Sequence, residues 1–273
     1  MWVDGTRRSR SGLAYRRSGS GPPVVLLHGI PGSAESWREV ADGLIGGYDV
    51  IVPDLLGFGA SDQPEDLRGL HAVAQACALD DLIDELGVGP VTVVGHDFGG
   101  PVALSLAARR PGAVTALGLL ATNTFTDTPI PFPLSAATWP VVGPLVARAV
   151  FSTPSLRMML RQGVGHGASV PDPATHLGER AQRHAIVTIF EGSLVHLAEL
   201  YGPIEAELRR TSVPTLVGWG DHDPFLPVAQ GERTAQTVGA ALRVYEGAGH
   251  FLPHERPAEV AADITALAAT AAA

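Results

Sequence analysis

Short, almost continuously apolar runs alternate with longer amphipathic ones, and this alternation limits most strongly what the chain can fold into. Val24–Leu27, Val50–Val52, Val91–Val94, Ala116–Leu120, Thr215–Val217 and Leu242–Tyr245 are rich in β-branched and aliphatic residues and are bounded by Gly, Pro or Asp. Uninterrupted apolar character is what a parallel strand requires when helices cover both its faces. Between the runs lie helical patterns. Leu79, Leu82, Ile83 and Leu86 recur at i, i+3, i+4 and i+7, with Asp80, Asp81, Asp84 and Glu85 expected on the solvent side. Val102–Arg109 reads as another helix, stopped by Pro111. Leu13–Tyr15 adds a further short strand near the start. The whole predicts an α/β fold with a doubly wound, mostly parallel sheet that binds its ligand at the carboxyl ends of the strands.

The alternation lapses once. From about Asn123 to Thr211 no strand pattern occurs, only helical pieces separated by Pro-rich joints such as Thr128–Pro133. The stretch is too long for a plain connection, and it predicts a helical cap (123–211) inserted into a core made of 1–122 and 212–273. The Ala-rich end, Ala258–Ala273, extends a final helix. A length of 273 residues suits one large domain with such an insertion, and a chain of this size hides about three quarters of its extended surface without metal or disulfide. Nineteen basic residues, all Arg, face 28 acidic ones for a net charge of −9, which argues against a nucleic-acid partner. The lone Cys77 excludes an internal disulfide or a multi-cysteine zinc site. With no secretory-type apolar segment and no stretch of 18 uncharged apolar residues, no membrane partner is expected, and the setting expected is cytoplasmic.

The most informative segment is Val91-Thr-Val-Val-Gly-His-Asp-Phe-Gly-Gly100. A buried strand runs into Gly-x-Asp-x-Gly and then a helix. The turn holds its central residue in a strained conformation, so side chains at 95 and 99 would clash. Asp97 then projects above the sheet at a helix N-terminus, where amides favour negative charge; the plain alternative is an Asp that merely caps the helix. Further along, Leu216-Val-Gly-Trp-Gly-Asp-His-Asp-Pro224 places Asp221 and Asp223 just past a later strand, and Gly247-Ala-Gly-His-Phe-Leu-Pro253 places His250 past the last one. Asp223, fixed by Pro224, is the candidate acid, and Asp221 the residue that caps the turn. Upstream, Leu26-Leu-His-Gly-Ile-Pro-Gly32 shapes a loop whose Ile30 amide, together with the Phe98 amide, can face Asp97 as a pair of oxyanion donors. His28 and His96 read as buried partners of backbone carbonyls, and the Asp54–Ser61 loop as framework.

These segments, with Pro53-Asp-Leu-Leu-Gly-Phe-Gly-Ala-Ser-Asp62, resemble the α/β-hydrolase superfamily, closest to its aspartate-nucleophile branch of epoxide hydrolases and haloalkane dehalogenases. The resemblance covers almost the whole chain, more loosely in the cap. It implies Asp97 as nucleophile, Asp223 and His250 as acid and base, and no cofactor or metal.

An aspartate nucleophile suits particular reactions. A carboxylate is ionised at neutral pH without a base. Attack on an acyl carbon gives a high-energy anhydride, whereas attack on a saturated carbon gives an ordinary ester that a His250-activated water can hydrolyse. Fitting leaving groups are a strained epoxide oxygen or a halide. Haloalkane dehalogenases carry Asn or Trp donors at the positions of Ile30 and Phe98, neither of which donates from its side chain. The arginines of fluoroacetate dehalogenases correspond to Phe98 and Pro101. Epoxide hydrolases protonate the alkoxide from cap tyrosines, and Tyr201 resembles the second of that pair. The first is missing, since 123–200 contains no tyrosine; His166, His176 and His184 are candidates for its place. Phe125, Trp139 and Phe190 are expected in a pocket for a small hydrophobic substrate and water, with Phe132, Met158 and Met159 in pocket or core. Epoxide hydrolysis to a diol is the leading expectation and dehalogenation the runner-up. A non-hydrolytic lyase, an isomerase or a ligand-binding receptor is the reading from another class.

Overall fold

A computed structural model describes residues 5–130, 132, 135–136, 139, 141–165 and 180–271. Eight strands form one sheet: β1 (Arg7–Arg8), β2 (Ala14–Gly19), β3 (Pro23–Leu27), β4 (Asp49–Pro53), β5 (Val91–His96), β6 (Val114–Leu120), β7 (Thr215–Gly220) and β8 (Leu242–Tyr245). Their spatial order is β1-β2-β4-β3-β5-β6-β7-β8. The first three in that order pair antiparallel, and every later pairing is parallel. The helices are α1 (Arg38–Leu44), α2 (Ala72–Leu86), α3 (Gly99–Arg109), α4 (Gly143–Val150), α5 (Thr153–Gln162), α6 (Arg180–Val195), α7 (Leu197–Arg210), α8 (Val228–Val238), α9 (Leu252–Glu255) and α10 (Pro257–Ala271).

The apolar strands divide their side chains between two cores, as a pleated strand covered on both sides must. Val25, Leu27, Val91 and Val93 pack on one face with Leu79, Leu82 and Leu104 of α2 and α3. Val24, Leu26, Val50, Val52 and Val94 pack on the other with Val40 and Leu44 of α1 and Val260 and Ile264 of α10. Burying one such aliphatic side chain contributes roughly 1.5–3 kcal/mol, so strand order and helix placement follow from the same residues.

Asp80 departs from the helical-wheel expectation. It is buried between α2 and the end of α3, where Arg110 Nε approaches it at 2.9 Å and Arg109 at 3.7 Å, while Asp84 takes a second arm of Arg110 at 2.6 Å. The acidic face of α2 is thus partly an inter-helix contact. Between β6 and β7 the described residues are helical, from α4 to α7, with no strand among them. Among the described residues no helix is long and apolar enough to cross a membrane, and no cluster of His, Cys, Asp and Glu is arranged to hold a metal ion.

Candidate active site

β5, at the middle of the sheet, carries Asp97 directly off its carboxyl end. The backbone there has φ +51°, a conformation that costs about 1–3 kcal/mol for a non-glycine residue and persists only when its surroundings impose it. They do. The Asp97 amide donates to the Leu120 carbonyl at 3.1 Å, and Thr122 Oγ1 donates to the Asp97 carbonyl at 2.6 Å. A side chain at Gly95 would run into the Gly99 backbone, and one at Gly99 into the backbone of Leu27. The sharp turn therefore requires both glycines. Asp97 does not cap α3: its Oδ1 instead accepts the Ile30 amide at 2.8 Å. Of the two amides expected to face the carboxylate, the one at Ile30 makes that bond; Phe98 adjoins Asp97 at the head of α3.

His250 follows β8 and meets Asp97 from the opposite side, with Nε2 3.5 Å from Oδ2. Its Nδ1 bonds Asp223 Oδ2 at 2.8 Å. Because an ionised carboxylate only accepts, the proton belongs on Nδ1. Asp223 is fixed in turn by the amides of Phe225 and Leu226, which donate to its Oδ1 at 2.8 and 3.0 Å. Asp221 instead accepts the Gly247 amide at 2.7 Å near the surface, a turn-capping contact. His96 and His28 both bond backbone carbonyls, of His250 at 2.8 Å and of Gly29 at 2.9 Å.

The three groups differ in exposure. The Asp223 side chain is sealed (0%), His250 is nearly so (4%), and Asp97 keeps 25% of its surface facing an enclosed space. Burial opposes a charge on His250, but Asp223 and then Asp97 outweigh it and lift the imidazole to about 10. Burial likewise opposes the Asp97 carboxylate, yet the His250 contact prevails and holds it below the ordinary aspartate value. His96, buried beside a cationic His250, falls to about 4 and stays neutral. At rest the site is a carboxylate–imidazolium pair backed by a second carboxylate.

Asp97 opens into a cavity of about 140 Å³ with mostly apolar walls, among them Ile30, Phe98, Leu156, Ile186, Phe190 and Phe225. Tyr201 of α7 and Asn123, just past β6, are polar members of the same wall. Burial, then the charge of Asp97, raises the Tyr201 pKa, opposed by a hydrogen bond from Asn123. Asn123 Oδ1 is engaged by the Phe125 amide at 3.1 Å and by the Thr128 hydroxyl, so its amino group is the part turned to the phenol.

Two expected pocket residues lie elsewhere. Phe125 is buried in the core under the Arg233 guanidinium, 3.7 Å above its ring. Trp139 is 54% exposed and does not line the cavity. Phe132 and Met158 are also exposed, whereas Met159 and Phe190 line the space. His184 is exposed on the outer side of α6, and His166 and His176 lie outside the described residues. Asn123 was not anticipated. Its signal was positional: it is among the first residues after a central parallel strand, at the edge where such sheets bind ligands.

Central elbow, sheet order and the succession of Asp97, Asp223 and His250 after β5, β7 and β8 define a hydrolase of the α/β class. The chain belongs to the alpha/beta hydrolase fold family, which matches residues 22–159. It is 31% identical to an uncharacterized protein of Mycobacterium tuberculosis, covering 94% of this chain and 76% of the other. It is 29% identical to epoxide hydrolase 3 of Xenopus tropicalis, covering 93% and 74%. The crystal structure of haloalkane dehalogenase DbeA from Bradyrhizobium elkani superposes with a TM-score of 0.78 over 97% of this chain and 98% of that one, at 23% identity, a likeness of fold alone.

Proposed function

We infer that the protein hydrolyses small uncharged epoxides to diols through an ester on Asp97. The observation carrying this reading is a carboxylate at the elbow with one oxygen held by the Ile30 amide and the other toward His250 Nε2, lining the same apolar cavity as the Tyr201 phenol. Oδ2 attacks an epoxide carbon, the C–O bond opens, and Tyr201 gives its proton to the departing oxygen. Esterification removes the Asp97 charge. That charge helps hold the His250 proton and also helps raise the Tyr201 pKa, so its loss lowers both. The tyrosinate regains a proton from His250, and the neutral imidazole activates water for attack on the ester carbon of Asp97. Oδ1, already on the Ile30 amide, takes the oxyanion, and Asp223 stabilises the imidazolium that re-forms. Collapse then breaks the ester C–O bond, and the departing alkoxide takes the new carboxyl proton and leaves as the diol, which restores the Asp97 carboxylate. Epoxide and water become diol, and Asp97, His250 and Tyr201 return to their starting protonation.

The similarity to an epoxide hydrolase over nearly the full chain supports the reading, as does the Tyr201 phenol in the cavity wall, a group able to protonate an alkoxide. The helices between β6 and β7 then serve as the cap, with 123–211 set on the core of 1–122 and 212–273. The test is intact mass spectrometry of His250→Gln incubated with epoxide and haloalkane panels. An adduct of epoxide mass, absent in Asp97→Asn, is the expected result; halide release without diol moves the assignment to dehalogenation, and no adduct with any substrate that the wild type consumes overturns the covalent step.

A further inference from the structure

Glu255 lies five residues past His250, at the end of the short helix α9, and is buried. Among the described residues its carboxylate accepts three backbone amides and no side-chain donor: Oε2 takes Gly249 and Gly165, each at 2.8 Å, and Oε1 takes Phe251 at 2.9 Å. Gly249 and Phe251 are the immediate neighbours of His250. Gly165 belongs to the segment that follows α5, within the helical insertion. A fourth bond runs alongside, from the His250 amide to the Gly163 carbonyl at 2.7 Å. The approach is close enough that a side chain at Gly249 would strike the Gly163 backbone, and one at Gly165 the Gly247 carbonyl. α5 supplies Leu156, Met159 and Leu160 to the cavity wall.

We propose that Glu255 is a positioning residue for His250, holding the imidazole loop in register with the substrate-lining helix α5 through one carboxylate. The role rests on the reading of His250 as the base of the hydrolytic half-reaction. An acceptor-only group suits three converging donors, and no neutral side chain of equal size does so. Glutamine keeps the volume but turns an amino group toward at least one of the amides, so the seam opens without leaving a cavity. A loop displaced by a fraction of an ångström loses the alignment on which base catalysis depends. The effect is confined to the second half-reaction, because attack by Asp97 on the substrate needs no base.

The test compares Glu255→Gln with the wild type in two ways. In the free protein, the Nδ1 proton resonance of His250, assigned by its absence in His250→Gln, is expected to shift or broaden. With a turned-over epoxide, alkylation of Asp97 stays within about twofold while hydrolysis of the ester slows by about tenfold to 10²-fold, so the adduct accumulates. If Glu255→Gln does not fold, Gly165→Ala opens the same seam from the insertion side, with the same two signatures expected. An unshifted His250 resonance in a folded variant overturns the proposal, as does equal slowing of both half-reactions. The resonance needs no substrate, so it decides the role of Glu255 even if His250→Gln traps no adduct and the covalent reading falls.

Discussion

The two carboxylates on either side of His250 are held in opposite ways. Asp97 sits on a strained backbone at the end of β5, retains an open face toward the cavity and receives one amide on its side chain. Asp223 is sealed, with two turn amides on one oxygen and the imidazole on the other. The contrast matches what each must do in the proposed cycle. A nucleophile has to reach substrate and surrender its charge; an orienting acid has to keep its charge throughout, and three hydrogen bonds make that charge tolerable when buried.

Exchanging charge for an isosteric amide at each end tests this division. Asp97→Asn is expected to remove turnover by about 10⁴-fold or more and to leave no adduct by intact mass. Asp223→Asn should cost about 10³–10⁴-fold in overall rate by misorienting the imidazole, yet an alkyl-enzyme should still form; its absence would put both aspartates on the same step. Tyr201→Phe should lower kcat/KM for epoxides by about 10²-fold and leave any halide release unchanged. Asp221→Asn should stay within about twofold of wild-type rate and cost about 1 kcal/mol of stability, measured by denaturant unfolding, because its carboxylate holds the Gly247 amide and lies beside the His222 ring, away from Asp97.

Acid and base titration separates the pair a different way. The raised His250 value means the folded state binds a proton that the unfolded state has released above pH ~6.5. Its stabilisation is full below that point and is lost as pH climbs toward 10. The depressed Asp97 value acts in the opposite sense, with stability lost as pH falls below the ordinary aspartate range. Thermal melts should therefore show an alkaline decline in the wild type that is absent from His250→Gln; parallel curves would contradict the ion pair.

The elbow and its partners were legible because each depends on a local pattern: a continuous apolar strand, glycines where backbones touch, acids and a histidine directly after later strands. Asp80 was misread because periodicity assigns a face without revealing what packs against it, here Arg109 at the end of α3 and Arg110 just past it. Phe125 and Trp139 were misplaced for a related reason. An aromatic in an irregular, Pro-rich stretch suits core, pocket and surface alike, and only the path of the chain separates them. Glu255 and Asn123 escaped because their contacts are with backbone amides or side chains brought together by the fold, which leave no periodic trace.

Asp97, Asp223 and His250 all lie outside the helices α5 to α7 that wall the cavity, so in the proposed cycle these three groups and most of those that shape the pocket come from separate stretches of chain. The seam at Gly163–Gly165 sets the condition for exchanging them. A transplanted insertion that lacks the carbonyl and amide facing His250 and Glu255 brings its own specificity but leaves the water-activating loop unmoored. Recombination among relatives should therefore succeed where crossover points keep Gly163 and Gly165 together with His250 and Glu255.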